Sequence, residues 1–89
     1  MSFQICASGF GEDWDGTYEL LMGDQYEKIP ERNYWVYRDS WYWFISASPY
    51  KYDVPNRKAE KIYPGIEDPT GNYNGIDGNP NGSIAFGHC

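Results

Sequence analysis

The sequence has one histidine, two cysteines and seven basic side chains against thirteen acidic ones, and each scarcity removes a class of function. The single histidine, His88, stands next to the last residue of the chain. A nucleophile–histidine–acid arrangement, which needs an imidazole held between two partners, therefore has no base to build on. Cys6 and Cys89 at opposite ends of the chain, with that one histidine, make no ligand set for zinc or another soft metal. A net charge of −6 disfavours nucleic-acid phosphate and anionic lipid, and no lysine or arginine patch interleaves with the aromatics. Leucine, isoleucine and valine are few, and no apolar run approaches the roughly 20 residues of a membrane span. The opening Met-Ser-Phe-Gln-Ile-Cys has neither a basic n-region nor an apolar h-region. No signal peptide is expected, and the chain reads as soluble, made in the cytoplasm and able to end in a viral particle or an extracellular assembly.

What the sequence does have is aromatic residues, which make up 19% of it. In a chain of 89 residues only about 60% of the unfolded surface is buried on folding, so a thin core must rely on a few large side chains. Tryptophan, tyrosine and phenylalanine each bury roughly 150–250 Å² and prefer strands. Ten glycines and six prolines, concentrated after Pro64, interrupt every stretch long enough for a helix. The expected fold is all-β: a single domain over residues 1–89, a small antiparallel sandwich or barrel of six or seven short strands with almost no helix.

Alternation of apolar and polar residues places strands at 3–7, 17–22, 26–29, 58–63 and 83–86. Residues 18, 20 and 22 are expected to share one face of the second strand, and Ala59 and Ile62 to point inward from the strand at 58–63. Turn dipeptides crowd the segment 65–82, which reads as loop throughout. The densest segment, 34–46, offers Asp39-Ser40 as its only polar pair and reads as a hairpin turning there. That register sets Val36 against Trp43 and Tyr34 against Ile45 on one face, and Tyr37 against Tyr42 and Trp35 against Phe44 on the other. With Val36, Trp43 and Ile45 given to the core, Trp35, Tyr37, Tyr42 and Phe44 form an outward set. Four such rings make a patch too large to leave wet in an ordinary monomer, so they are the candidate partner-binding residues. A second sheet packed over them is the competing structural account.

The remaining constellations carry less. Glu12, Asp13 and Asp15 lie close in sequence without a cleft to tune them for acid–base work, so no catalytic residue is assigned and the chain reads as non-enzymatic. Asp13-Trp14-Asp15-Gly16 and Asp77-Gly78-Asn79-Pro80-Asn81-Gly82 offer oxygen ligands of the kind calcium takes, but neither has EF-hand spacing and such residues are the ordinary stuff of turns. No metal and no cofactor is expected. Asn81-Gly82-Ser83 matches a glycosylation acceptor and reads as a turn. Cys6 and Cys89 allow two arrangements. They close nearly the whole chain into one disulfide loop, or Cys6 packs as a small apolar residue while Cys89 stays free or links to another chain.

Gly16-Thr17-Tyr18-Glu19, Tyr34-Trp35-Val36-Tyr37, Trp43-Phe44-Ile45-Ser46, Lys61-Ile62-Tyr63 and Asp68-Pro69-Thr70-Gly71-Asn72-Tyr73 together resemble a small β-module found as tandem or appended units in bacteriophage and marine microbial proteins. The chain differs from that pattern at Glu27-Lys28-Ile29-Pro30-Glu31, where an Asn-Gly-Lys-Pro-like turn belongs, and at Tyr73, where a tryptophan is usual. The resemblance implies appended, non-enzymatic duty. The expected function is a structural or attachment module of a phage-like particle or similar assembly, binding other protein chains through the aromatic face. A carbohydrate-binding module using the same face and an acidic inhibitor of a basic host protein are the alternatives. A glycan binder needs polar groups beside its rings, an inhibitor needs its carboxylates on one face, and an assembly protein needs apolar complementarity.

Overall fold

A computed structural model describes residues 3–89. Eight antiparallel strands close into a barrel: β1 Gln4–Ser8, β2 Gly16–Met22, β3 Gln25–Lys28, β4 Trp35–Asp39, β5 Tyr42–Ser46, β6 Arg57–Ile62, β7 Gly71–Gly75 and β8 Gly82–Phe86. Each strand pairs with its neighbours in sequence, and β1 closes on β8 from Ile5 opposite Phe86 to Ser8 opposite Ser83. Among the described residues, closure leaves no unpaired edge strand to template association with another chain. The fold is thus all-β, as expected, with one strand more than the upper expectation. A single 3-10 turn, Val54–Asn56, is the helical content of the described residues, and no helix among them is long and apolar enough to cross a membrane.

The additional strand is β7, inside the segment that reads as loop from sequence. Gly-Asn-Tyr-Asn-Gly has turn composition, and only Tyr73 in it carries a core side chain. Pairing with both β6 and β8 makes it a strand, a tertiary effect that local propensity does not record.

An eight-stranded barrel has an interior just wide enough for side chains to fill. Ile5 and Ala7 from β1, Tyr18 from β2, Tyr26 from β3, Val36 from β4, Trp43 and Ile45 from β5, Ala59 from β6, Tyr73 from β7 and Ile84 from β8 fill it, joined by Phe10 and Ile66 from loops. Buried Tyr and Trp need partners for their polar atoms. Here those partners are loop carbonyls. Tyr18 donates to Trp14 O (2.7 Å), Trp43 Nε1 to Ile66 O (2.7 Å) and Tyr73 to Pro69 O (2.6 Å). The β1–β2 loop is thereby drawn over one end of the barrel and the β6–β7 loop over the other. Gly82 is required where Phe10 enters, since a Cβ there would lie 2.6 Å from the ring.

Two irregularities change which way side chains point. A register shift between Leu20 and Met22 sets Met22 opposite Gln25, so Met22 leaves the face it was expected to share with Tyr18 and Leu20 and stands 64% exposed. A second shift sets Ile45 opposite Ala59 but Ser46 opposite Arg57, which leaves Lys58 as the extra residue and swings Arg57 onto the outer wall. Ala59 is fully buried, whereas Ile62, expected inward, faces out opposite Tyr42. The inward position beside Trp43 belongs to Lys61, whose ammonium donates to the carbonyls of Asp68 and Thr70.

Of the two arrangements open to the cysteines, the structure has the disulfide, between Cys6 on β1 and Cys89, 83 residues apart. The C-terminal segment folds back over β1 and β2, with Gly87 N donating to Gln4 O (2.9 Å) and Cys89 N to Thr17 Oγ1 (3.1 Å).

Candidate functional site

The β4–β5 hairpin turns at Ser40-Trp41 and not at Asp39-Ser40. Asp39 pairs with Tyr42, Arg38 with Trp43, Tyr37 with Phe44, Val36 with Ile45 and Trp35 with Ser46. Ser40 takes the positive φ (59°) that a two-residue hairpin loop demands at its first position. Moving the loop by one residue gives each residue a new partner two positions along the facing strand, and two positions is one full strand period. The faces are therefore unchanged. Val36, Trp43 and Ile45 point into the barrel, and Trp35, Tyr37, Tyr42 and Phe44 point out.

The outward rings are not equivalent. Tyr37 and Phe44 are only 2% and 4% exposed although they lie outside the barrel. Their cover is Arg57. The guanidinium lies 3.8 Å from the Phe44 ring centroid, and its nitrogens donate to Tyr37 Oη (3.2 Å), Asp39 Oδ2 (3.0 Å) and Lys51 O (2.7 Å). The last of these ties the β5–β6 loop down over β4. Loop closure continues through Ala47 N to Asn56 O (2.9 Å), Ser46 Oγ to Asn56 O (3.1 Å) and Asn56 Nδ2 to Asp53 Oδ1 (2.7 Å). Trp35 is half-buried and donates to Glu27 (3.2 Å), away from the other three rings. Tyr42, stacked on Phe44 at 5.5 Å and 13°, is the one ring of the four left 38% exposed. The open four-ring platform suggested by sequence is thus reduced to Tyr42, because a loop and an arginine cover its centre.

Tyr42 opens into a groove of about 720 Å³ along the outer wall of β5 and β6. Tyr42 and Phe44 floor it. Val54 and Pro55 from the β5–β6 loop and Ile76 and Asp77 from the β7–β8 loop wall it. Asp39, Arg57 and Glu60 add charge along it. This volume lies within the range of small-ligand clefts, and an apolar lining with few polar groups fits recognition of one side chain or ring.

At the hairpin end the groove runs into a ridge of exposed apolar groups. Tyr42 pairs across the strands with Ile62, which is 47% exposed. Just beyond the ends of the two strands, Trp41 and Tyr63 meet edge to face at 5.6 Å, and each is 62% exposed. The Tyr63 amide donates to Trp41 O (3.0 Å), which fixes the two rings side by side. A hairpin turning at Asp39-Ser40 sets Trp41 opposite Arg38 on the face of Val36 and Trp43, whereas the turn at Ser40-Trp41 takes the ring out of the strand pair. A tryptophan in a two-residue turn has no inward course, and that is the signal that would have found it.

Of the other sequence candidates, Asp15, Asn79 and Asn81 serve the fold. Asp15 accepts from the amides of Gly9 (3.2 Å) and Phe10 (2.9 Å), and Asn81 Oδ1 from that of Gly75 (2.9 Å). Asn79 Oδ1 receives Lys58 Nζ (3.2 Å). These oxygens hold their own loops, and among the described residues no three His, Cys, Asp or Glu side chains group as a metal site. His88 lies exposed beside the C-terminus. Near the β6–β7 loop, burial would raise the Asp68 carboxyl, but the Thr70 hydroxyl and amide, with Lys61 nearby, outweigh it and hold the group below the usual carboxylate range. The acidic groups are spread over both barrel ends and the groove and do not gather on one face.

The chain matches no family model, no curated protein and no solved structure.

Proposed function

We propose that this barrel is a non-enzymatic docking module that engages a protein partner through the ridge of Trp41, Tyr63 and Ile62 and the adjoining groove at Tyr42. One observation carries the reading: four large apolar side chains stay exposed side by side on a rigid hairpin end, while the barrel has aromatics enough to fill its interior. Apolar ridges rimmed by polar groups mark interaction sites, and aromatic anchors dominate their energetics. Attachment to a phage-like particle or similar assembly is a duty such a surface can perform, and it belongs to this proposal. The closed barrel supports a reading in which contact is made by side chains, since no strand edge among the described residues is free for β-augmentation.

Glycan binding is the second reading. It is favoured by the charged groups Asp39, Arg57, Glu60 and Asp77 around the Tyr42 ring, because hydroxyl recognition beside a stacking ring requires such groups. Selection of peptides from a random library on the intact protein, run beside a panel of neutral oligosaccharides, separates the two. Docking at the ridge requires selected peptides whose affinity falls by about 1–3 kcal/mol on Trp41→Ala or Tyr63→Ala with the melting temperature unchanged. Oligosaccharide binding that is insensitive to Trp41→Ala, with no peptide selected, sinks the docking reading in favour of the glycan.

A further inference from the structure

We propose that the groove seats the cationic side chain of an arginine or lysine presented by a basic protein partner, its stem over the aromatic row of Tyr42 and Phe44 and its charge at Glu60, with Asp77 adding negative charge toward the β7–β8 loop. The proposal rests on the docking reading above and supplies the chemistry of the partner.

Four charged residues line the groove, but only two have charge to offer. Arg57 is consumed internally: Asp39, Lys51 O and Tyr37 Oη take its protons, Phe44 takes its face, and its side chain is only 12% exposed. Asp39 is neutralised in the same pair. Among the described residues, neither the Glu60 nor the Asp77 carboxylate has an ion-pair or hydrogen-bond partner. Two uncompensated carboxylates therefore face a groove whose one cation is already spent.

Position as well as charge fits a cation. Glu60 is held between Phe44 and Asn74 by pairing on both sides, so its carboxylate stays beside the aromatic row. Asp77 sits at the β7–β8 end of the groove in a left-handed turn (φ 54°) before Gly78. The Tyr42 ring, stacked on Phe44, lies one strand period from Glu60 on the hairpin side, and Asp77 follows on the side of the β7–β8 loop. Val54, Pro55 and Ile76 offer apolar surface to a methylene stem, which long cationic side chains cover readily. Arg57 on Phe44 is the intramolecular form of the same contact, one ring along the row. A cation over an aromatic face and beside carboxylates is stabilised by both. The net charge of −6 adds steering toward a basic partner at long range.

The test uses the full chain and three acetylated hexapeptides that differ only in a central arginine, lysine or citrulline, titrated by calorimetry and amide chemical shift. Arginine and lysine peptides should shift the signals of Tyr42, Glu60 and Asp77 and bind about tenfold more tightly than the neutral citrulline peptide, with affinity falling as salt rises. The double variant Glu60→Gln/Asp77→Asn should lose about tenfold of that affinity. Glu12→Gln/Asp13→Asn, which removes equal charge from the β1–β2 loop, should change it less than about twofold if the effect is local and not a general field. Equal binding of the citrulline peptide, equal loss in the remote double variant, or shifts lying outside the groove would each overturn the proposal. Neutral oligosaccharides shifting the groove while all three peptides fail would do the same. If Trp41→Ala weakens peptide binding and Glu60→Gln/Asp77→Asn does not, the docking surface stands and the cationic anchor is wrong. All the substituted acidic side chains are at least partly exposed, so retained chemical-shift dispersion confirms that the variants fold.

Discussion

Arg57 lies over Phe44, its guanidinium carbon 3.8 Å from the ring centroid, and through this one contact the outer wall of the barrel acquires a small second core. Arg57→Ala would expose Phe44 and release the β5–β6 loop from Lys51 O and Asp39. A cation–π contact, a half-exposed ion pair and lost packing together predict a loss of about 2 kcal/mol in denaturant unfolding. Arg57→Lys should recover only part of it, because an ammonium cannot stack on the ring while reaching three acceptors in a plane. A change below about 0.5 kcal/mol for Arg57→Ala would mean that the loop stays down without it.

Trp43 and Trp41 are two residues apart and should behave oppositely. Trp43 is 2% exposed, fills the barrel and donates to Ile66 O, so Trp43→Ala is expected to cost roughly 3–5 kcal/mol of stability. Trp41, 62% exposed in the hairpin turn, should leave stability within about 0.5 kcal/mol when cut to alanine. Equilibrium unfolding of the two variants checks the ordering, and an inverted result would mean the hairpin faces are assigned backwards.

The Cys6–Cys89 disulfide closes a span of 83 residues, which in the chain-entropy model stabilises the fold by about 4–5 kcal/mol. A domain of this size has roughly 5–15 kcal/mol in total, so reduction should lower the denaturation midpoint markedly. Cys6→Ser/Cys89→Ser should reproduce the reduced state and be indifferent to reductant. Measured solution mass with and without reductant should stay that of one chain if the bond is made within it.

Tyr18 and Tyr73 predict an alkaline limit. Burial above all pushes both phenols above the ordinary tyrosine value, with Asp15 adding to the effect at Tyr18 and Asp68 at Tyr73. An unfolded tyrosine ionises near pH 10, so the folded state holds protons that the unfolded chain gives up. The stabilisation is fully present below about pH 10 and is lost as pH rises from there toward the folded values. Tyrosinate absorbance should rise together with loss of the far-ultraviolet β signal. Tyr73→Phe should sacrifice the bond to Pro69 O, about 1 kcal/mol near neutral pH, and flatten the alkaline slope. Ionisation of all tyrosines well before unfolding would contradict the burial of these two.

Much of this fold is legible in the chain, because strand period is a local property. Val36, Trp43 and Ile45 alternate with Tyr37 and Phe44, and that alternation assigns inside and outside even though the hairpin loop lies one residue later than the polar pair suggests. Glycine and proline likewise exclude helix from neighbours alone. By contrast, β7 has the composition of a turn and exists because β6 and β8 leave a place between them.

The candidate site is legible only in its floor. Tyr42 and Phe44 are outward from sequence, but the walls come from Val54 and Pro55 on one loop and Ile76 and Asp77 on another, remote in sequence and joined only by closure of the barrel. The cover over Tyr37 and Phe44 depends on a bulge that turns Arg57 outward, and one inserted residue in a ladder leaves no mark in apolar periodicity. The sequence by itself thus determined seven of the eight strands, the absence of long helix and the two faces of the central hairpin, since each follows from contacts between near neighbours. Tertiary structure alone decided which aromatic rings stay exposed, which carboxylates stay unpaired and whether the chain ends meet. Those depend on what distant segments place on top of a side chain, and local alternation carries no information about that.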